Sequence, residues 1–205
     1  MSAEFMWYRG TELLHPEQIL RDLGVRPGWS IGDFGCGSIG HFVFPAAHLV
    51  GGEGKVYAVD IQRPALKSIE RGAHEAQLWN VYPVWSDLER PRATNIPEKS
   101  LDLALVCNTL HLVQDPAQVL EEAFRLTRPG GILLIIEWRK EPSVLGPPLE
   151  DRLSDEEIYQ HINAQPHPIH WTDRFTAGMH HDGFVFQKGG FENMEPDVIS
   201  VSNPF

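Results

Sequence analysis

The alternation of short apolar runs with amphipathic segments is the feature that most restricts how this chain can fold. "WSIGDFG" (29–35), "KVYAVDI" (55–61), "VYPVWSDL" (81–88), "LDLALVCN" (101–108) and "ILLIIEW" (132–138) read as strands. Between them, "HFVFPAAHLVG", "RPALKSIERGAHEAQ" and "DPAQVLEEAFRLTRPGG" read as helices, and "HPEQILRDLGVRPG" is a short amphipathic helix before the first strand. Strands joined through helices return in the same direction, so the pattern predicts an α/β fold with a parallel sheet. The third run contains Pro83, which suits an edge strand. The fourth is nearly all apolar, as a central strand buried on both faces must be. Asp115 and Pro116 open a helix, and Pro129-Gly130-Gly131 reads as its stop, with both glycines serving the turn. After Trp138 the pattern changes. Residues 139–154 are proline-rich and read as a loop, 154–165 as a helix with an acidic first turn, and 168–175 with 182–188 as an antiparallel hairpin at the sheet edge. Residues 1–188 form one domain on this reading, and 189–205 are a tail without clear periodicity.

Composition narrows the partners. The 205 residues carry a net charge of −11 with no Lys/Arg cluster, which weighs against nucleic acid and against anionic membrane surfaces. No apolar run is long enough to span a membrane, and the first ten residues lack a secretory signal. Two cysteines, Cys36 and Cys107, make neither a zinc cluster nor a disulfide framework, so a cytoplasmic location fits best and no metal is expected. His161, His167, His170, His180 and His181 do not follow metal-ligand spacing.

The loop after the first strand reads "DFGCGSIG". Gly35, Gly37 and Gly40 have the G-x-G-x-x-G spacing that places a pyrophosphate at a helix N-terminus. Asp33, two residues upstream, would set a carboxylate beside those phosphates. The anion is explained if the ligand has none: S-adenosylmethionine is a nucleoside with an ammonium and a sulfonium. Asp60 ends the second strand and Asp87 follows the third, so three acids end three successive strands at the carboxyl edge, where open α/β sheets bind ligands. Asp60 is expected to face that open edge.

With "VYAVDI", "SDL", "LDLALVCNTLHLV" and "LTRPGGILLIIEW" in the same order, the sequence resembles the class I S-adenosylmethionine-dependent methyltransferases from Pro16 to about Lys188. The resemblance implies a three-layer Rossmann-like sandwich whose mostly parallel seven-stranded sheet has an antiparallel last strand. It implies that Asp33, Gly35 and Gly37 line the methionine end, Asp60 holds the ribose, Asp87 and Leu88 meet the adenine, and Asn108 lies beside the cofactor. Phe34, Cys36 and Gly40, in the glycine loop, and Ile61, after Asp60, complete the expected cofactor-binding set.

The implied reaction is methyl transfer by in-line displacement to a small-molecule acceptor. A protein side-chain acceptor, a non-catalytic S-adenosylmethionine-binding sensor or scaffold, and a NAD-dependent dehydrogenase are the alternatives. The last conflicts with Asp33 and lacks the Tyr-x-x-x-Lys pair: Tyr8, Tyr57, Tyr82 and Tyr159 are followed four positions on by Glu12, Ile61, Ser86 and Asn163. No D/N-P-P-aromatic motif follows strand four, which argues against adenine amino-methylation. Quinone C-methyltransferases share the core, but too few of their family-specific segments are present to carry that name. His111, in "NTLHLV", is the candidate general base, with packing or cofactor lining as its bland alternative. Cys36 reads as a small loop residue and Cys107 as strand packing. The loop 141–150 and the histidine-rich 161–181 are expected to shape the acceptor pocket. Trp7 and Tyr8, before the first helix, are expected either to cover the cofactor or substrate or to anchor the surface.

Overall fold

A computed structural model describes residues 14–189; Trp7, Tyr8 and the tail beyond Gly189 lie outside the described residues. In chain order the elements are α1 (Pro16–Asp22), β1 (Ser30–Phe34), α2 (Val43–Val50), β2 (Lys55–Asp60), α3 (Arg63–Glu75), β3 (Val81–Trp85) and β4 (Leu101–Cys107). A 3₁₀ turn (Leu110–Leu112), α4 (Pro116–Leu126), β5 (Thr127–Trp138), a second 3₁₀ turn (Leu149–Asp151), α5 (Asp155–Asn163), β6 (Ile169–Thr176) and β7 (His181–Lys188) follow.

The strands make one sheet in the order β3-β2-β1-β4-β5-β7-β6. The pairs from β3 to β5 are parallel, as helical crossovers require, and β7 runs antiparallel to both β5 and β6. Because successive side chains point to opposite faces, β4 feeds two cores. Leu103 and Leu105 pack with Leu20 of α1, Val43 of α2 and Ile69 of α3, whereas Ala104 and Val106 pack with Leu120 and Phe124 of α4 and Ile158 of α5. The helix–sheet–helix arrangement is the three-layer sandwich that the sequence implies.

Local chemistry fixes the element ends. Asp115 accepts from Gln118 N–H at 3.1 Å and Pro116 follows at N1, opening α4. Ser154 and Glu157 form a reciprocal capping box on α5. One boundary differs from the sequence reading. Thr127–Gly131 belong to β5, not to a helix stop, because Thr127 already pairs with Leu101 before the register shifts to Leu103↔Ile132. Arg128 donates to Asp102 at 2.7 Å, and Lys188 Nζ donates to the Phe124 and Thr127 carbonyls, which anchors this junction.

Candidate active site

The carboxyl ends of β1 and β4 are adjacent in the sheet, and the chain turns sharply at both. Gly35 leaves β1 at φ +85°, a conformation L side chains rarely adopt, and a Cβ there would overlap Thr109. Thr109 explains the close approach: its hydroxyl donates to the Phe34 carbonyl at 3.1 Å and lies 3.0 Å from that of Cys107, tying the two strand ends together. Asn108 follows β4 in the left-handed region, φ +52°, which asparagine tolerates better than most residues.

A cavity of about 220 Å³ opens at this junction. Its lining joins Asp33, Gly35, Cys36 and Asn108, all expected from sequence, with Leu14, Ile39, His41, Phe42, Cys107, Trp138 and His181. Asp33 is 3 % exposed, and no described residue gives its carboxylate a hydrogen bond or an ion pair. Burial, with the charge of Asp60 adding to it, raises its pKa to about 7. A buried carboxyl poised in this way is complementary to a cation, and the residues present fit the ammonium end of S-adenosylmethionine.

The remaining candidates lie elsewhere. Asp60 is buried, and both of its oxygens are engaged, accepting from Gly37 N–H at 2.9 Å and Gln62 N–H at 2.7 Å. It does not face an open edge; it clamps the glycine loop to the end of β2. Ile61, next to it, is an exposed apolar side chain. Gly40 is where α2 and α3 close on the loop, since a Cβ there would meet Ile69 and Phe44. The Phe34 side chain is core, which leaves only its main chain for a ligand, and Leu88 is core as well. Asp87 pairs with Arg90 at 3.1 Å and accepts from Glu89 N–H, closing a turn outside the cavity. Burial pushes both thiols up, so neither cysteine supplies a thiolate. Cys107, half-buried, packs against the core as expected and also reaches the cavity wall.

His111 does not line the cavity. Its Nδ1–H donates to Glu137 Oε2 at 2.8 Å, while Glu137 Oε1 accepts from Thr109 N–H at 2.9 Å and Leu110 N–H at 2.7 Å. Glu137 is 2 % exposed and thus holds both the turn after β4 and the histidine ring. Sequence reasoning passed over Glu137, although a lone carboxylate in "ILLIIEW" is the kind of residue an apolar strand buries only with partners. It also missed Trp138 and His41 as lining residues. Of the histidine-rich segment only His181 lines the cavity, and the loop 141–150 does not. That loop instead packs behind Trp138, where Gly146 lies against the indole. Among the described residues no group of three or more His, Cys, Asp or Glu could hold a metal ion, and no helix is long and apolar enough to cross a membrane.

This sheet order, with its glycine turn and acid-ended strands, defines the Rossmann-like S-adenosylmethionine-dependent methyltransferases. A methyltransferase domain family matches residues 26–195, and the chain belongs to it. It is similar to the ubiquinone/menaquinone biosynthesis C-methyltransferase UbiE of Pseudoalteromonas translucida, 31 % identical over 96 % of this chain and 81 % of that protein. A demethylmenaquinone methyltransferase of Geobacillus stearothermophilus is 30 % identical over 63 % of this chain and 53 % of its own length. A solved S-adenosylmethionine-dependent methyltransferase from Aquifex aeolicus superposes with a TM-score of 0.77, at 27 % identity over 86 % of this chain and 90 % of that one. The dehydrogenase alternative falls with this assignment.

Proposed function

We propose that the chain methylates a small aromatic acceptor of the quinol type in the cytoplasm, with Asp33 seating the donor's cationic end and His111 taking the acceptor's proton. The observation that carries the reading is Asp33, a buried carboxyl on a cavity wall whose charge no described residue neutralises. S-adenosylmethionine supplies the chemistry when bound, an electrophilic methyl on a sulfonium. Gly35 and Gly37 allow close backbone approach, Asp60 keeps the loop in place for the donor, and exposed Ile61 offers an apolar surface to the adenine.

Support for the acceptor class comes from the cavity's aromatic and aliphatic walls and from the quinone-pathway names of its relatives. A quinol carbon becomes nucleophilic when the neighbouring hydroxyl gives up its proton. Glu137 accepts from Nδ1 of His111 and so leaves the Nε2 lone pair free for that proton. Transfer through one bridging water is within a general base's reach. Incubating the protein anaerobically with methyl-labelled S-adenosylmethionine and a demethylated naphthoquinol tests the reading. Label on the ring carbon is the expected result; label on oxygen only, or on no quinol while another metabolite is labelled, would overturn the acceptor.

A further inference from the structure

Native proteins leave few buried polar atoms without a partner, because each costs the desolvation of a group that water would have satisfied. Four such side-chain atoms occur among the described residues, and three of them belong to residues on the cavity wall: His41 Nε2, Asn108 Oδ1 and His181 Nδ1. All three residues line one cavity, which makes a ligand held there the candidate for the missing partner.

His181 is the most constrained of the three. It is 1 % exposed, sits opposite Trp138 in the β5–β7 register, and its ring centre lies 4.1 Å from the indole. Asn108 Nδ2 lies 3.1 Å from His181 Nε2. An amide nitrogen only donates, so Nε2 accepts, and the single proton of the neutral ring is on Nδ1. The ring stays neutral because burial, then the charges of His180, Arg139, His41 and His111, lower its pKa to about 4. His181 thus holds a fixed donor with nothing to receive it.

We propose that Nδ1–H of His181 recognises an oxygen of the methyl acceptor, with the acceptor's ring seated against Trp138. The proposal rests on the methyl-transfer reading and deepens it, because it names the acceptor's polar handle. Among the described residues the lining holds no lysine or arginine and one buried carboxyl, so they offer an anionic acceptor no counter-charge. The chemistry that fits is an uncharged aromatic ring bearing a hydroxyl or carbonyl oxygen. His181 acts in this scheme as a specificity residue, distinct from the His111–Glu137 pair.

Two substitutions separate this role from a structural one. In His181→Asn the side-chain amide reaches the place of ring Nδ1 and can still donate, while the contact to Asn108 is lost. In His181→Gln the amide oxygen reaches the place of Nε2 and keeps that contact, while the Nδ1 donor is lost. The full chain, saturated with S-adenosylhomocysteine, is titrated with 2-naphthol and with 2-methylnaphthalene, which lacks the oxygen. The wild type should prefer 2-naphthol by about tenfold or more. The preference should persist in His181→Asn and vanish in His181→Gln. The reverse order would show that His181 serves Asn108 and not the ligand. Wild-type protein that binds both probes equally, or neither, would overturn the proposal without any variant. The first titration, of S-adenosylhomocysteine alone, isolates the underlying reading: its failure strikes the methyl-transfer reading, whereas its success with failed probe discrimination strikes only His181.

Discussion

The carboxylates at this site serve three different purposes, and each can be removed separately. Glu137 distributes its oxygens between two backbone N–H groups and the His111 ring. In Glu137→Gln one oxygen can still serve the backbone, but the new amide N–H₂ faces Nδ1, so His111 must take the opposite tautomer and its Nε2 lone pair is lost. The turnover rate should fall by about 10² or more, the size of a lost general base, with little change in S-adenosylhomocysteine affinity. An unchanged rate would remove His111 from the chemistry. Asp60→Ala strips one hydrogen bond from the glycine loop, at Gly37, and one from the turn after β2, at Gln62. It should therefore lower the melting temperature as well as cofactor affinity, with a stability cost of roughly 2–3 kcal/mol. Thermal unfolding unchanged from wild type would show the clamp to be dispensable. Asp33 was legible from sequence because it sits at a fixed offset from three glycines. The structural duty of Asp60 was not, because it depends on where the backbone N–H groups of Gly37 and Gln62 point after the loop has folded.

At the scale of elements, the site is assembled by connections on one edge of the sheet, and their ends are set by specific devices. The loop after β5 is gathered by Arg152, whose guanidinium donates to the carbonyls of Arg139, Glu141, Leu145 and Pro147 and to the Ser143 hydroxyl. It also lies 5.6 Å over the Trp138 ring. Arg152→Ala should destabilise the fold by roughly 2–4 kcal/mol and weaken acceptor binding through Trp138. Arg152→Lys should not restore either, because an ammonium cannot span the same acceptors. Denaturant melts of the two variants check this, and a lysine variant of wild-type stability would contradict it. The strand–helix alternation through β5 was readable because hydrophobic period and capping residues are local. The start of β5 at Thr127 was not, since Pro129 and Gly130 look like a stop until Thr127, ahead of them, is seen to pair with Leu101. Trp138 and His181 were hidden for a related reason: 43 positions apart, they meet only through the antiparallel β5–β7 register.

Over the whole molecule, two buried groups drive stability in opposite directions with pH. Asp33 goes from an ordinary 3.8 unfolded to about 7 folded, so the native chain binds the extra proton and stability from this group falls as pH rises from about 4 to 7. His181 goes from 6.5 to about 4, so the unfolded chain binds the extra proton and stability from this group falls as pH drops through the same window. The two trends oppose each other in the wild type. Relative to it, Asp33→Asn should gain stability as pH rises from 4 to 7, and His181→Gln should lose it; parallel melting curves for all three would contradict both assignments. The same raised pKa makes cofactor binding the most direct test of the site. A cationic ligand end selects ionised Asp33, so binding must expel its proton where the free protein still holds one. Calorimetric titration of S-adenosylhomocysteine in buffers of different ionisation enthalpy should show close to one proton released per site at pH 6, and an affinity about tenfold weaker there than at pH 8. Both effects should vanish in Asp33→Asn. Equal affinity at the two pH values, with heats independent of buffer in the wild type, would contradict the assignment of Asp33 to the cofactor's cationic end.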